Sequence, residues 1–298
     1  MTTILLTGKT GRVGWELQHA LAPLGILIAL GRDEMDHANP DSIRSAIRDA
    51  KPDVIVNAAG YTTVDKAEGE RELVTRVNAV APGIIAEEAK RISAVLIHYS
   101  TDYVYDGEQK RPYTEDDAPN PVNTYGKSKL AGERAIQAVG GAHLILRTSW
   151  VYSARSSNFV LDILRLARKK PVLSVVSDQF GSPSWARALA ESTADVLRKQ
   201  HLMQGRGGVY HLSATGQASR CDFARAIIRI MKEYTGTKDG WAEIIPITTA
   251  QYPSLPASRP LNPVTDKSKI KRVFGIEMPD WESQLRSFLS ELAAARSA

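Results

Sequence analysis

Short, unbroken apolar runs recur through the first half of the chain, and each is followed by a stretch with helical spacing. The runs are "TILLTG" (3–8), "GILIAL" (25–30), "DVIVNAA" (53–59), "AVLIHYS" (94–100) and "HLILRTS" (143–149). A strand that is apolar at successive positions, rather than at every second one, is buried on both faces. Helices are expected between the runs, in "RVGWELQHALAP" (12–23), "DSIRSAIRDA" (41–50), about 71–91 and "TYGKSKLAGERAI" (124–136). Strands buried on both faces and alternating with helices form a parallel sheet wound on both sides. The fold class is therefore α/β, a doubly wound, Rossmann-like parallel sheet.

After Trp150 the pattern loosens. Helices are expected at 158–168, 186–199, 220–234 and 281–294, and strands at 172–176 and 209–212. Proline and glycine crowd "DQFGSPS" and "YPSLPASRPLNP". We therefore divide the chain into a sheet domain (1–150) and a smaller, irregular C-terminal substrate lobe (151–298), some of whose segments return to the sheet.

The 298 residues suffice for such a core. The net charge of +5 comes from scattered basic residues. Such a surface suits an anionic small molecule, and no nucleic-acid partner is expected without a basic stripe. Cys221 stands alone, so no internal disulfide is possible and a reduced, cytoplasmic location is expected. The N-terminus enters a strand at once, without the pattern of a signal peptide. No apolar run approaches the roughly 20 residues a membrane span needs.

"TGKTGRVG" places Gly8, Gly11 and Gly14 between the first strand and the first helix. Glycines there let backbone N–H groups approach a phosphate at the positive end of the helix. The position in a strand–turn–helix at the chain start makes this a dinucleotide site. The G-x-x-G-x-x-G spacing resembles that of the extended short-chain dehydrogenase/reductase superfamily. Strand two ends in "LGRDEMD". Arg32 could pair with a 2′-phosphate, which favours NADPH; Asp33 leaves NADH open.

Tyr125 and Lys129 stand four apart in "TYGKSKLAGE" and share a helix face, whereas Lys127 points elsewhere. An ammonium beside a phenol is expected to lower its pKa and fit it for acid catalysis at neutral pH. "HYSTDYVYDG" ends the fourth strand, at the sheet edge where such folds bind ligands. There Thr101 can bring a hydroxyl to Tyr125. Ser100 is the weaker candidate, since strand alternation turns it to the opposite face.

With these elements placed, the chain resembles the dTDP-4-dehydrorhamnose reductase family over almost its whole length. The segments that carry the resemblance are "GKTGRVGWEL", "PDVIVNAAGYTTVDKAE", "HYSTDYVYDG", "NTYGKSKLAGE", "RTSWVY", "NFV", "DQFGSP" and "ASRPLN". The resemblance implies a catalytic trio of Thr101, Tyr125 and Lys129. It implies cofactor contacts from Thr10, Gly11, Arg12 and Val13, from Asp36 and His37 near the adenine, and from Ala58, Gly60, Tyr61, Thr62 and Tyr99 around the nicotinamide. Thr62, Val64, Thr101, Asp102, Tyr103, Tyr125 and Trp150 would touch a dTDP-sugar. The Trp150 indole would give the sugar a flat wall, and Arg259 could meet its diphosphate.

Two departures stand out. Gly60 replaces an alanine common in the family. Glu16 and Glu291 match glutamates with which some members hold magnesium in a homodimer, but Arg187 stands at the third position and would repel a cation. No metal site is expected, and magnesium and a homodimer stay open. Two other functions also stay open: another nucleotide-sugar epimerase, dehydratase or reductase of the extended family, and a non-catalytic NADP-binding regulatory subunit.

Overall fold

The computed structural model describes residues 1–199, 207–237, 239–252 and 255–297. Pro253 and Ser254 of the proline-rich segment lie outside them. The elements run β1 (Thr3–Thr7), α1 (Arg12–Leu21), β2 (Ile26–Leu30), α2 (Pro40–Ala50) and β3 (Val54–Asn57). Next come α3 (Val64–Ala67), α4 (Arg71–Thr75), a π-turn (Arg76–Val80), α5 (Ala81–Arg91), β4 (Val95–Thr101), α6 (Thr124–Val139) and β5 (His143–Thr148). The second half holds β6 (Val151–Tyr152), α7 (Phe159–Ala167), β7 (Val172–Val176), β8 (Phe180–Gly181), β9 (Ser184–Trp185) and α8 (Ala186–Arg198). It ends with β10 (Gly208–His211), β11 (Ala218–Ser219), α9 (Arg220–Thr235), β12 (Glu243–Ile247), α10 (Ser268–Phe274) and α11 (Trp281–Ser297).

Six strands form one sheet in the order β10-β5-β4-β3-β1-β2, and every pairing in it is parallel. The apolar runs explain why. In β1, Ile4 and Leu6 enter one buried cluster while Leu5 enters the other. β3 divides Val54 and Val56 from Ile55, and β5 divides Leu144 and Leu146 from Ile145, in the same way. Alternation along a strand thus loads both faces.

Ile43 and Ile47 of α2 and Ile84 and Ile85 of α5 cover one face. Leu17 and Leu21 of α1 and Leu189 of α8 cover the other, in a cluster that runs on to Phe223, Phe288 and Leu289. The two halves of the sequence share that core. β10 comes from the second half and pairs with β5, Val209 opposite Ile145.

The chain leaves β1 outward to β2, then returns across β1 to β3. That reversal opens a crevice at the carboxyl ends of β1 and β3, where ligands bind in folds of this kind. The remaining strands form small pairs, β7 with β12, β8 with β11 and β6 with β9, and Val151 and Tyr152 of β6 line the crevice. Among the described residues no helix is long and apolar enough to cross a membrane.

Candidate active site

A cleft of about 470 Å³ opens at this reversal. Its floor is the glycine turn. Gly8 has φ +77°, and a Cβ on Gly14 would lie 2.0 Å from the Gly8 carbonyl oxygen. Only glycine lets α1 begin so close beneath the turn. Gly11 is the N-cap of α1, and no side chain caps the helix. The leading N–H groups and the positive dipole end are thus available to an anion. Gly11, Arg12 and Val13 line the cleft there.

Two buried polar groups lack a partner among the described residues: Arg12 Nε, beside this floor, and both ring nitrogens of His37. Burial, then the charge of Lys129, pulls the His37 pKa down to about 4, so the imidazole is neutral at pH 7. Arg12 Nη2 donates to the Ser157 carbonyl at 3.0 Å. An uncapped helix, a glycine cradle and unsatisfied buried nitrogens together fit a dinucleotide pyrophosphate and its flanking groups.

β4 delivers Thr101 and α6 delivers Tyr125 and Lys129 to the centre of the cleft. Asn123 caps α6 by accepting from the Gly126 N–H at 2.8 Å. Cβ atoms on Gly126 and Gly132 would stand 2.2 Å from the Tyr103 carbonyl and 2.1 Å from the Asn78 carbonyl. These glycines let α6 press against both segments, which sets the depth of Tyr125. Asn78 lies in the π-turn and ties the parts together. It accepts from the Tyr61 N–H at 2.8 Å and donates to Ser128 Oγ of α6 at 3.1 Å. Such π-turns concentrate at functional sites. A Cβ on Gly60 would come within 3.3 Å of Asn78 Oδ1, so the glycine relieves a tight contact.

The expected acidification of Tyr125 by Lys129 is not what the geometry gives. Desolvation raises the Tyr125 pKa, partly opposed by the Thr101 hydroxyl. Lys129 Nζ instead donates to the Tyr99 carbonyl at 2.7 Å and lies 3.1 Å from His98 Nε2. The Lys129 ammonium is itself lowered to about 8 by burial, with Glu133 opposing. The phenol therefore stays protonated, as a proton donor must.

Thr101 Oγ1 accepts from the Tyr103 N–H at 3.2 Å and donates to Asp102 Oδ1 at 3.2 Å. Asp102 also accepts from Ser149 Oγ at 2.6 Å, and burial lifts its pKa to about 6. Ser100 points away, as its strand position requires, and hydrogen-bonds Glu133. Glu133 is clasped by Arg147, with side chains 1% and 4% exposed. This buried pair anchors α6 one turn beyond Lys129.

Thr62, Val64, Asp102, Tyr103, Ala58, Gly60 and Trp150 all reach the cleft, as the sequence suggests. Others do not reach it as expected. The Tyr99 ring borders the cleft, but its hydroxyl turns away to Thr193 Oγ1 at 2.5 Å; its carbonyl serves the site by holding Lys129. Tyr61 gives its hydroxyl to Glu70 at 2.8 Å. Arg259 is absorbed by Asp65 at 2.7 Å and by the Ala257 carbonyl. Thr10, Arg32, Asp36 and His37 are not among the residues that line the cleft. Arg32 is 73% exposed and touches Asp36 only at 3.8 Å. One face of the Trp150 indole is taken by the Arg220 guanidinium, 3.8 Å over the ring.

Sequence reasoning missed Arg220, Phe223, Phe159 and Asn158 as cleft residues. The spacing of residues 220–234 predicts a helix but does not show that its first turn faces the cleft. Arg187 bridges Glu16 at 3.1 Å and Glu291 at 2.6 Å. Its guanidinium satisfies both carboxylates, so these residues do not fit a divalent cation.

A family model described as RmlD substrate binding domain matches residues 1–294. The dTDP-4-dehydrorhamnose reductase of Burkholderia thailandensis is 45% identical over 283 residues, covering 93% of this chain and 95% of the relative. That of Escherichia coli is 42% identical over 293 residues, 97% of each chain. A crystal structure of the Bacillus anthracis dTDP-4-dehydrorhamnose reductase in complex with NADP aligns with a TM-score of 0.87 at 31% identity, covering 97% of this chain and 99% of that one. On the full-length family match and these identities, the chain belongs to the dTDP-4-dehydrorhamnose reductase family.

Proposed function

We propose that the protein reduces the C4 keto group of dTDP-4-dehydro-L-rhamnose to give dTDP-L-rhamnose, in the cytoplasm, with NADPH as the preferred donor and NADH as the alternative. The observation that carries this reading is the convergence of Thr101, Tyr125 and Lys129 on one cleft above an uncapped glycine turn. NADP in the Bacillus anthracis relative supports the choice of cofactor.

When bound, the nicotinamide supplies the hydride that reaches C4. The residues of the chain do the rest. Gly11, Arg12 and Val13 hold the pyrophosphate at the α1 N-terminus. Thr101 hydrogen-bonds the keto oxygen and stabilises it as negative charge develops. Tyr125, protonated because its phenol is desolvated, gives its proton to that oxygen. Lys129, fixed by the Tyr99 carbonyl and beside His98, holds a ribose hydroxyl. Arg32 at the exposed end of β2 meets a 2′-phosphate. Arg187 neutralises Glu16 and Glu291, so magnesium has no part in this reading, and a homodimer would form without it.

The test is stoichiometry. The purified protein should oxidise one NADPH per dTDP-4-dehydro-L-rhamnose consumed. Conversion of a nucleotide sugar without net NADPH loss would point to an epimerase or dehydratase. NADPH binding without turnover would point to a regulatory subunit.

A further inference from the structure

Arg12 and Lys129 meet the cleft from its cofactor side; Arg220 enters from the second half of the chain, and among the described residues it has no acidic partner. Arg220 is the first residue of α9 and lines the cleft beside Trp150 and Phe223. Its guanidinium lies 3.8 Å over the Trp150 ring and 5.1 Å from the Phe159 ring centre. Among the described residues no carboxylate lies within 4.0 Å of it. Asp102, whose charge reaches it, is committed to the Ser149 and Thr101 hydroxyls. Asp65 is committed to Arg259.

Helix stability does not account for this placement. A cation in the first turn opposes the helix dipole. Arg220 is half-buried, and a cation drawn partly out of water usually has an acidic partner. Burial weakens the hold of Arg220 on its proton, and the nearby charge of Arg259 adds to this, while Tyr103 hydrogen-bonds it and favours the charged form. The indole fixes the guanidinium plane, so its donor edge is presented ready-made. Trp150 is itself held in place: its backbone is left-handed, φ +43°. A Cβ on Gly181 would come within 2.3 Å of the indole, so only glycine lets the ring lie there.

We propose that Arg220, held flat by Trp150, binds the diphosphate of the nucleotide-sugar substrate. A planar fork matches paired phosphate oxygens bidentately. The cofactor's own pyrophosphate has its place at the α1 N-terminus. Arg259, the residue expected to play this part from the sequence, is neutralised by Asp65. The inference rests on the reading of the substrate as a dTDP-sugar and adds the residue that recognises its charge.

The experiment compares wild type, Arg220→Met and Arg220→Lys by calorimetric titration with dTDP and with NADPH, and by steady-state kinetics. Arg220→Met keeps the stem over the indole and removes the charge. It should weaken dTDP binding and raise the KM for the sugar nucleotide by roughly 10- to 100-fold, with kcat and NADPH affinity near wild type. Arg220→Lys should lose less, since it keeps a point charge. It carries the comparison should the Met variant melt early. Unchanged dTDP affinity in either variant would overturn the inference, and so would an equal loss for NADPH. Wild type that binds NADPH but no dTDP would overturn the substrate reading along with it.

Discussion

Gly14→Ala tests how tightly the cofactor turn is built. The added Cβ would lie 2.0 Å from the Gly8 carbonyl oxygen and 2.7 Å from its carbon. Ordinary contact begins at 3.4 Å, so 3.4 − 2.0 = 1.4 Å must open between α1 and the turn. The turn has no slack to give. Gly8 donates to the Leu30 carbonyl at 2.9 Å, and on its other side the Ala59 backbone is already within 2.8 Å of where a Gly8 Cβ would stand. Nor can α1 retreat freely, since Leu17 and Leu21 are fully buried. Overpacking of this kind costs about 1–3 kcal/mol. At 2–4 °C per kcal/mol for a chain of this order of size, Tm should fall by roughly 2–12 °C. An ångström of displacement also removes N–H groups from phosphate, so NADPH affinity should drop at least about tenfold. Gly11→Ala, only 3.4 − 3.2 = 0.2 Å short, should melt close to wild type. Thermal melts and a fluorescence titration with NADPH read both effects. Wild-type Tm and affinity in Gly14→Ala would refute the close-packed turn.

Lys129 is lowered from 10.5 to about 8 by burial. Between those values the unfolded chain binds the proton and the folded one does not, so stability gains up to about 1.4 kcal/mol per pH unit as pH rises. Lys129→Met should lose that gain in denaturant melts from pH 8 to 10, and equal slopes would reject a desolvated ammonium. Glu133→Gln strands the buried Arg147 guanidinium and should cost about 3–5 kcal/mol by chemical denaturation; a loss under 1 kcal/mol would mean that the pair does not anchor α6. Arg32→Ala should raise the KM for NADPH several-fold and leave that for NADH unchanged, and equal changes would remove Arg32 from 2′-phosphate recognition.

β1 to β5 were legible because a strand buried on both faces leaves an unbroken apolar run. β12 was not, because Pro246 breaks the pattern of "EIIPI"; the segment is tolerated as an edge that pairs only with β7. The two-residue strands are too short to carry a period. Helical spacing placed Tyr125 and Lys129 on one face correctly, but it could not tell where a flexible lysine would end. The Tyr99 carbonyl and the His98 ring, about 30 residues earlier, take its ammonium. The partner of Arg259 was hidden for the same reason, since Asp65, which takes its guanidinium, lies 194 residues away. Arg220 was hidden inside a helix prediction that was right; only the packing of α9 against Trp150 reveals which way it faces.

The most direct measurement is a single-turnover reaction of dTDP-4-dehydro-L-rhamnose with enzyme-bound NADPH, followed by loss of the reduced nicotinamide signal, in wild type and Tyr125→Phe. If the desolvated phenol is the proton source, the variant should bind NADPH like wild type and oxidise it roughly 10²- to 10⁴-fold more slowly. Oxidation at the wild-type rate without that hydroxyl would contradict the mechanism at its centre.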